Sequence, residues 1–302
     1  MDEKSFLAAK SSSVPVYKDN YYKTLFSKLF KKPIFIICLF IIVAIFIISF
    51  SISLIVDADA YTKIDFDNAF IAPNSTYIFG TNEFGQNFFY LTMIGTANTI
   101  KLAFVASIIN LFLGTIIGII WGYYSKIDNL MIFIRNIFNN IPLSFVYIIV
   151  ISAIGSGFFS IILIITILGW VDLACLVRNN LIIIRNKDYN VYSTLNHVPF
   201  YKIAINNYLP HLLPIIFCSF AISFPEATAL ETTITYFGFS LGKANISLGL
   251  LLHDALTSNN WLNNTYLFLI PFLIIFIINT CFFYIGKTFH EISTKEDKSC
   301  LK

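Results

Sequence analysis

Uncharged stretches long enough to cross a bilayer dominate the chain. Pro33 to Val56 gives 24 residues without a charge, between Lys32 and Asp57, and Leu102 to Ser125 gives another 24. A crossing helix needs about 20 apolar residues at 1.5 Å rise each. Asn136 to Val171 holds 36 uncharged residues, too many for one helix. Gly155-Ser156-Gly157 interrupts that run and divides it into spans at roughly 137–154 and 158–177. Ile203 to Pro225 gives 23, and the run from Ala255 to Gly286 contains a last span near 266–285. The pattern predicts an all-α integral membrane protein with six transmembrane helices. Around them lie a tail at 1–32, a first helix at 33–56, an outer segment at 57–94, a five-helix core at 95–286 with a loop at 178–208, and a tail at 287–302.

Composition agrees with the pattern. The chain has 302 residues, 57% of them hydrophobic and 12% charged, with 32 Phe and 16 Tyr. Soluble domains carry about 25% charge. A net charge of +3 is too small for a nucleic-acid binder, and the apolar content excludes a disordered chain or a secreted disulfide scaffold. The five cysteines (Cys38, Cys175, Cys218, Cys281, Cys300) form no C-x-x-C pair and read as small buried hydrophobes. Ala58-Asp59-Ala60 looks like a signal cleavage site. A cleavable signal has an apolar region of about 7–15 residues, so the 24-residue run is expected to stay as an anchor.

Orientation follows from Lys and Arg. With the N-terminus in the cytoplasm, 17 of the 20 basic residues fall on inner segments, and only Lys63, Lys101 and Lys243 lie outside or at the outer edge. The first outer segment instead carries Asp57, Asp59, Asp65, Asp67 and Glu83. Both termini are expected in the cytoplasm of a cell whose inner membrane holds the chain.

The loop at 178–208 is the long inner connection. Asp188 is placed to cap a short helix running through Tyr189, Tyr192 and Leu195 until Pro199. A second, Phe200 to Tyr208, would present Phe200, Ile203, Ala204 and Asn207 on one side. Two readings fit: a docking surface for a partner, or an ordinary re-entry loop on lipid headgroups. In the second span Gly114, Gly118 and Gly122 recur every four residues and form one stripe that lets another helix backbone approach. It serves either an internal helix contact or a subunit contact at a pore-lining helix.

Candidate chemistry is sparse. Gly286-Lys287-Thr288 mimics the end of a phosphate loop, but position 281 is Cys281 where that motif needs glycine. His197, His211, His253 and His290 show no metal spacing, and no nucleophile with a partner base marks an intramembrane hydrolase. No metal, cofactor or catalytic group is expected on this chain. Carboxylates at Asp172, Glu226 and Glu231 lie near span ends. They sit either at the membrane interface, held by Lys or helix N-termini, or, for Glu226 and Glu231, on a translocation path or outer gate.

An ordered string of landmarks resembles one family over about residues 25–290. Phe79-Gly80-Thr81-Asn82-Glu83-Phe84-Gly85-Gln86-Asn87 is similar to the family's L-G-T-D-x-x-G-R-D. The glycine stripe with Tyr123, Ile141-Pro142-Leu143-Ser144, Gly169-Trp170 with Leu176-Val177-Arg178, and Glu231 to Gly238 follow. Ser247-Leu248-Gly249, Trp261-Leu262 and Pro271 complete the register. The family is the second permease subunit of dipeptide/oligopeptide/nickel-type ABC importers. The resemblance implies a type I permease architecture and one half of a heterodimeric pore with a second homologous permease subunit. Two ATP-binding subunits, carrying ATP and Mg, would sit below, and an extracytoplasmic peptide-binding protein would deliver substrate above. Nickel or cationic antimicrobial peptides are alternative substrates, and a self-sufficient channel or secondary transporter is the rival class. The family's E-A-A-x3-G loop falls on Val191-Tyr192-Ser193 and His197, with Lys202 and Ile203 keeping its basic and apolar character. These six residues are the expected ATPase-docking set. The family's carboxylate and glycine are replaced there, and Asn82, Gln86 and Asn87 replace charged residues in the outer motif.

Overall fold

The computed structural model describes residues 25, 27–57, 61–239, 241, 246–258 and 262–300, with helical side chains at 143 and 293–300 left aside. Ala58-Asp59-Ala60, Lys243, Trp261, the side chain of Cys300 and most of the 1–32 tail lie outside the described residues. Among those described, ten α-helices account for the spans, and the β-structure is one isolated bridge between Thr81 and Asn87.

Helix α1 (Pro33–Ile55) matches the first apolar run. Helix α2 (Phe88–Tyr123) is longer than the run that predicts it. Its 36 residues reach about 54 Å, well beyond a hydrocarbon core of about 30 Å. Asn87 caps its start, accepting from the Phe89 N–H at 3.0 Å. Lys101, taken from the sequence as a border, lies inside the helix, its ammonium 5.1 Å from the Phe50 ring centroid on α1.

The expected third span at 137–154 is corrected. It breaks into α3 (Asp128–Asn140) and α4 (Leu143–Ile154), bent by 90°. Pro142 disfavours helical backbone in the residue before it, and Ile141 is extended at φ −98°, ψ 130°. The 12 residues of α4 rise about 18 Å, so a third crossing takes the bent pair as one span. Five single helices are long and apolar enough to cross a membrane, and six crossings are reached when α3 and α4 count as one.

Gly155, at φ +95°, ends α4. Helix α5 (Phe158–Arg185) then runs past its predicted limit through Arg178 and Arg185. Next come α6 (Asp188–Leu195) and α7 (Phe200–Ile203), and a π-turn at Ala204–Tyr208 leads without a gap into α8 (Leu209–Tyr236). Pro210 has no N–H to give the helix ladder, and the turn before it is the one that widens. Helix α9 (Leu248–Thr257) is capped by Ser247, and α10 (Tyr266–Cys300) closes the described chain.

The most extensive helix contact joins α2 to α5. The central core takes Leu102, Ala103 and Ala106 from α2, Tyr147 and Ile151 from α4, Ile161 and Ile165 from α5 and Phe224 from α8. Two smaller cores sit at opposite ends of α2. One gathers Phe88, Leu91, Leu248 and Leu251 at its start, the other Ile119, Val177, Leu181, Ile203 and Tyr208 toward its finish.

Candidate functional site

The segment 188–208 caps the end of the bundle where α2 and α5 finish, and its seating is built from polar contacts. Asp188 occupies the first turn of α6 rather than the cap, which is Lys187 and makes no side-chain cap bond. Asn190 is wholly buried: its amide donates to the Ile184 carbonyl at 2.7 Å, and its oxygen accepts from Asn207 at 2.9 Å. A buried amide is costly unless paired, so this one fixes α6 against both α5 and the π-turn. The Tyr189 hydroxyl lies 2.9 Å from His211 Nε2. Burial pushes the Tyr189 phenol above its ordinary value, the Asn190 side chain opposing.

Leu195 is the last residue of α6, and the chain leaves it through a Schellman motif. The His197 N–H donates to Thr194 O and the Val198 N–H to Ser193 O, each at 3.1 Å. His197 itself takes φ +54°, the left-handed region that glycine adopts freely and other residues occupy at a cost of about 1 kcal/mol. His197→Gly will therefore keep this helix end and raise, or at least not lower, the thermal midpoint of the purified protein. A fall in the midpoint would contradict that reading of the turn.

Within the expected docking set the structure separates outward from inward residues. Val191, Tyr192, His197 and Lys202 are exposed. Ile203 is 1% exposed and belongs to the internal core, so it is removed from the docking face. Ser193 donates to the Tyr189 carbonyl at 2.8 Å and is half-buried. The face expected from Phe200, Ile203, Ala204 and Asn207 likewise turns inward, because Phe200 packs on Tyr123 with ring centroids 4.4 Å apart. The residues facing out are Leu195, Val198, Tyr201 and Ile205, and Val191 and Tyr192 are exposed apolar side chains of the same segment. Their apolar character was visible in the sequence; which side they face was not.

The glycine stripe lies against α5 of the same chain. A Cβ on Gly114 would meet Leu173 at 2.8 Å, one on Gly118 the Ala174 carbonyl and Val177 at 2.7 Å, and one on Gly122 Leu181 at 2.8 Å. Of the two readings of the stripe, the structure contains the internal helix contact.

Glu231 is wholly buried inside this chain. Its Oε2 accepts from the Thr99 hydroxyl at 3.3 Å, and that hydroxyl accepts from the Leu248 N–H at 3.2 Å. Glu231 thus ties α8 to α2 and to the first turn of α9. Glu226 is exposed. Asp172, also exposed, lies 3.7 Å from Arg135 rather than near a lysine.

At the other end of α2 the 61–87 segment folds around its motif. Asn82 Nδ2 donates to Gln86 Oε1 at 2.8 Å, while Asn82 Oδ1 accepts from the N–H groups of Phe84 and Gln86. Two amides stand where the resembled family has an acid and a base. The Tyr266 hydroxyl donates to Thr81 O at 2.8 Å and fastens the turn to α10.

Residues 114–290 match the family described as binding-protein-dependent transport system inner membrane component. The chain is 30% identical to the oligopeptide transport system permease protein AmiD of Streptococcus pneumoniae, over 95% of this chain and 92% of that protein. The chain belongs to this family. It is 26% identical to oligopeptide permeases named OppC from Lactococcus lactis (83% of this chain, 87% of that one) and Bacillus subtilis (81% and 78%). Membership makes the chain a permease, a transport subunit rather than an enzyme, and sets aside the self-sufficient channel or secondary transporter.

Proposed function

We propose that this chain is one half of the membrane pore of an ATP-driven peptide importer. The observation that carries the reading is the similarity over nearly the whole chain to a permease named for oligopeptide transport. A further relative is named for dipeptide transport, which favours peptides over nickel or cationic antimicrobial peptides. A second homologous permease subunit would complete the pore, and an extracytoplasmic peptide-binding protein would dock where the 61–87 segment lies. Two ATP-binding subunits, carrying ATP and Mg, would engage the patch around Val191, Tyr192, Leu195, Val198 and Tyr201. Its support is physical: an apolar surface this exposed, on a segment so firmly seated, suits a protein partner better than water. Glu226, exposed on α8, is the carboxylate of the two that can face a translocation path.

In operation, closure of the ATP-binding subunits would displace the 188–208 segment and, through it, the ends of α2 and α5. The side of the membrane follows from the distribution of basic residues, which puts both termini and the docking patch in the cytoplasm. Impermeant thiol labelling tests this. In a cysteine-free background, a cysteine at exposed Asp67 will react in intact cells, and one at exposed Leu195 only after lysis. Labelling of position 195 in intact cells would reverse the orientation. Peptide uptake in a strain lacking this gene, restored by the plasmid-borne chain together with its partner subunits, tests the substrate class.

A further inference from the structure

The end of α2 is gripped from two sides. On one side sits the docking segment: Phe200 packs at a tilt on Tyr123 with centroids 4.4 Å apart and lies 5.7 Å from Tyr124, and Tyr208 is wholly buried 6.4 Å from Tyr123. Arg185, at the last turn of α5, donates to the carbonyls of Gly122 at 3.0 Å and Tyr123 at 2.9 Å. These carbonyls belong to the last turn of α2, where no intrahelical donor remains and a cation is favoured. Displacement of 188–208 would therefore pull on the end of α2 through Phe200 and Tyr208.

On the other side is the start of α3. Asp128, its first residue, accepts from Trp121 Nε1 at 2.7 Å, from Arg178 Nε at 2.9 Å and from the same guanidinium's terminal nitrogen at 2.5 Å. The Arg178 guanidinium also lies 5.6 Å from the Trp121 ring centroid. This is a two-pronged, charge-assisted contact, half shielded from water and backed by a cation–π face. One carboxylate thereby joins three helices: α2 through Trp121, α5 through Arg178, and α3 through its own backbone. No residue of α3 is fully buried, and half-buried Met131 packs on the core around Trp121, so the fixed geometry of the fork adds to a light packing contact. Beyond the 90° turn, α4 carries Tyr147 and Ile151 into the central core.

We propose that Asp128, Arg178 and Trp121 form the joint that transmits displacement of the docking segment from the end of α2 to α3 and α4. The inference rests on the reading of 188–208 as the ATPase-docking element. Asp128 and Arg178 are positioning residues: they touch no substrate, and they set how α2, α5 and α3 move together.

The test uses the complete transporter, with both permease subunits, the ATP-binding subunits and the binding protein, in proteoliposomes. Asp128→Arg, Arg178→Asp and the double variant carrying both are compared for copurification of the ATP-binding subunits and for substrate taken up per ATP hydrolysed. Each single variant should keep the ATP-binding subunits and lose uptake per ATP by about tenfold, the scale of a broken coupling contact. The double variant should recover most of it, because the opposite charges face one another again. Singles with unchanged uptake per ATP, or a double variant no better than either, would overturn the proposal. Should a reversal prevent insertion, Arg178→Lys carries the test. It keeps the charge and loses the fork, so uptake per ATP should fall at normal complex yield, and unchanged uptake would again overturn the joint. Failure of the docking reading shows separately, as ATP-binding subunits that remain bound to a chain with Asp128 and Arg178 intact when the 188–208 patch is made polar.

Discussion

Gly118→Leu is expected to yield no stable permease. A Cβ at this position already falls 2.7 Å from the Ala174 carbonyl and from Val177, and the first of these is backbone that cannot rotate away. Leucine adds three further carbons along the same direction, so α2 and α5 must separate along their most extensive contact. Overpacking a fitted core costs about 1–3 kcal/mol or more, and helices in lipid have no hydrophobic force to press them back together. Gly118→Ala, with one carbon instead of four, should give protein that inserts but melts at a lower temperature. Yield of monodisperse protein in mild detergent and its thermal midpoint are the measurements. A leucine variant with wild-type yield would mean that α2 and α5 do not meet along this stripe.

Tyr192→Ala should release the ATP-binding subunits and leave the membrane helices intact. Tyr192 is 67% exposed on α6, so its removal opens no cavity in this chain and should not move its thermal midpoint. A tyrosine at the centre of a desolvated protein contact is worth about 2 kcal/mol or more, which corresponds to about 30-fold in affinity. Copurification of ATP-binding subunits should collapse, and peptide uptake with it. Asn190→Ala offers the contrast. It removes a buried amide and takes a partner from both the Ile184 carbonyl and Asn207, so it should lower thermal stability as well as docking. Normal ATPase retention by Tyr192→Ala would move the contact to another part of the surface.

Most of the membrane architecture could be read from uninterrupted apolar runs, because a bilayer demands them whatever the tertiary contacts. The third crossing could not. Counting charges registers 36 neutral residues around Pro142 and overlooks what a proline does to its predecessor, although Ile141-Pro142 stands in plain view. The start of α2 was hidden for the opposite reason: Lys101 looks like a boundary, yet its ammonium lies over the Phe50 ring. In the docking segment both sides of 200–208 carry apolar residues, so periodicity could not say that Phe200 and Ile203 face in while Tyr201 and Ile205 face out. Asn190 left no trace at all, since a buried amide is recognised only by its partners. Arg178 appeared as a landmark, but Asp128 lies 50 residues earlier, a distance that only the folded chain closes.

The uncharged Asn82–Gln86 contact in the turn ahead of α2 has a consequence for how this transporter meets its medium. An acid–base pair weakens as acid protonates the carboxylate, and salt screens whatever part of it meets solvent. The Asn82–Gln86 amides have nothing to titrate and no net charge to screen. That contact at the start of α2 therefore holds through acidification and brine alike, leaving any sensitivity to medium to the acids around it, Glu83 in the same turn included.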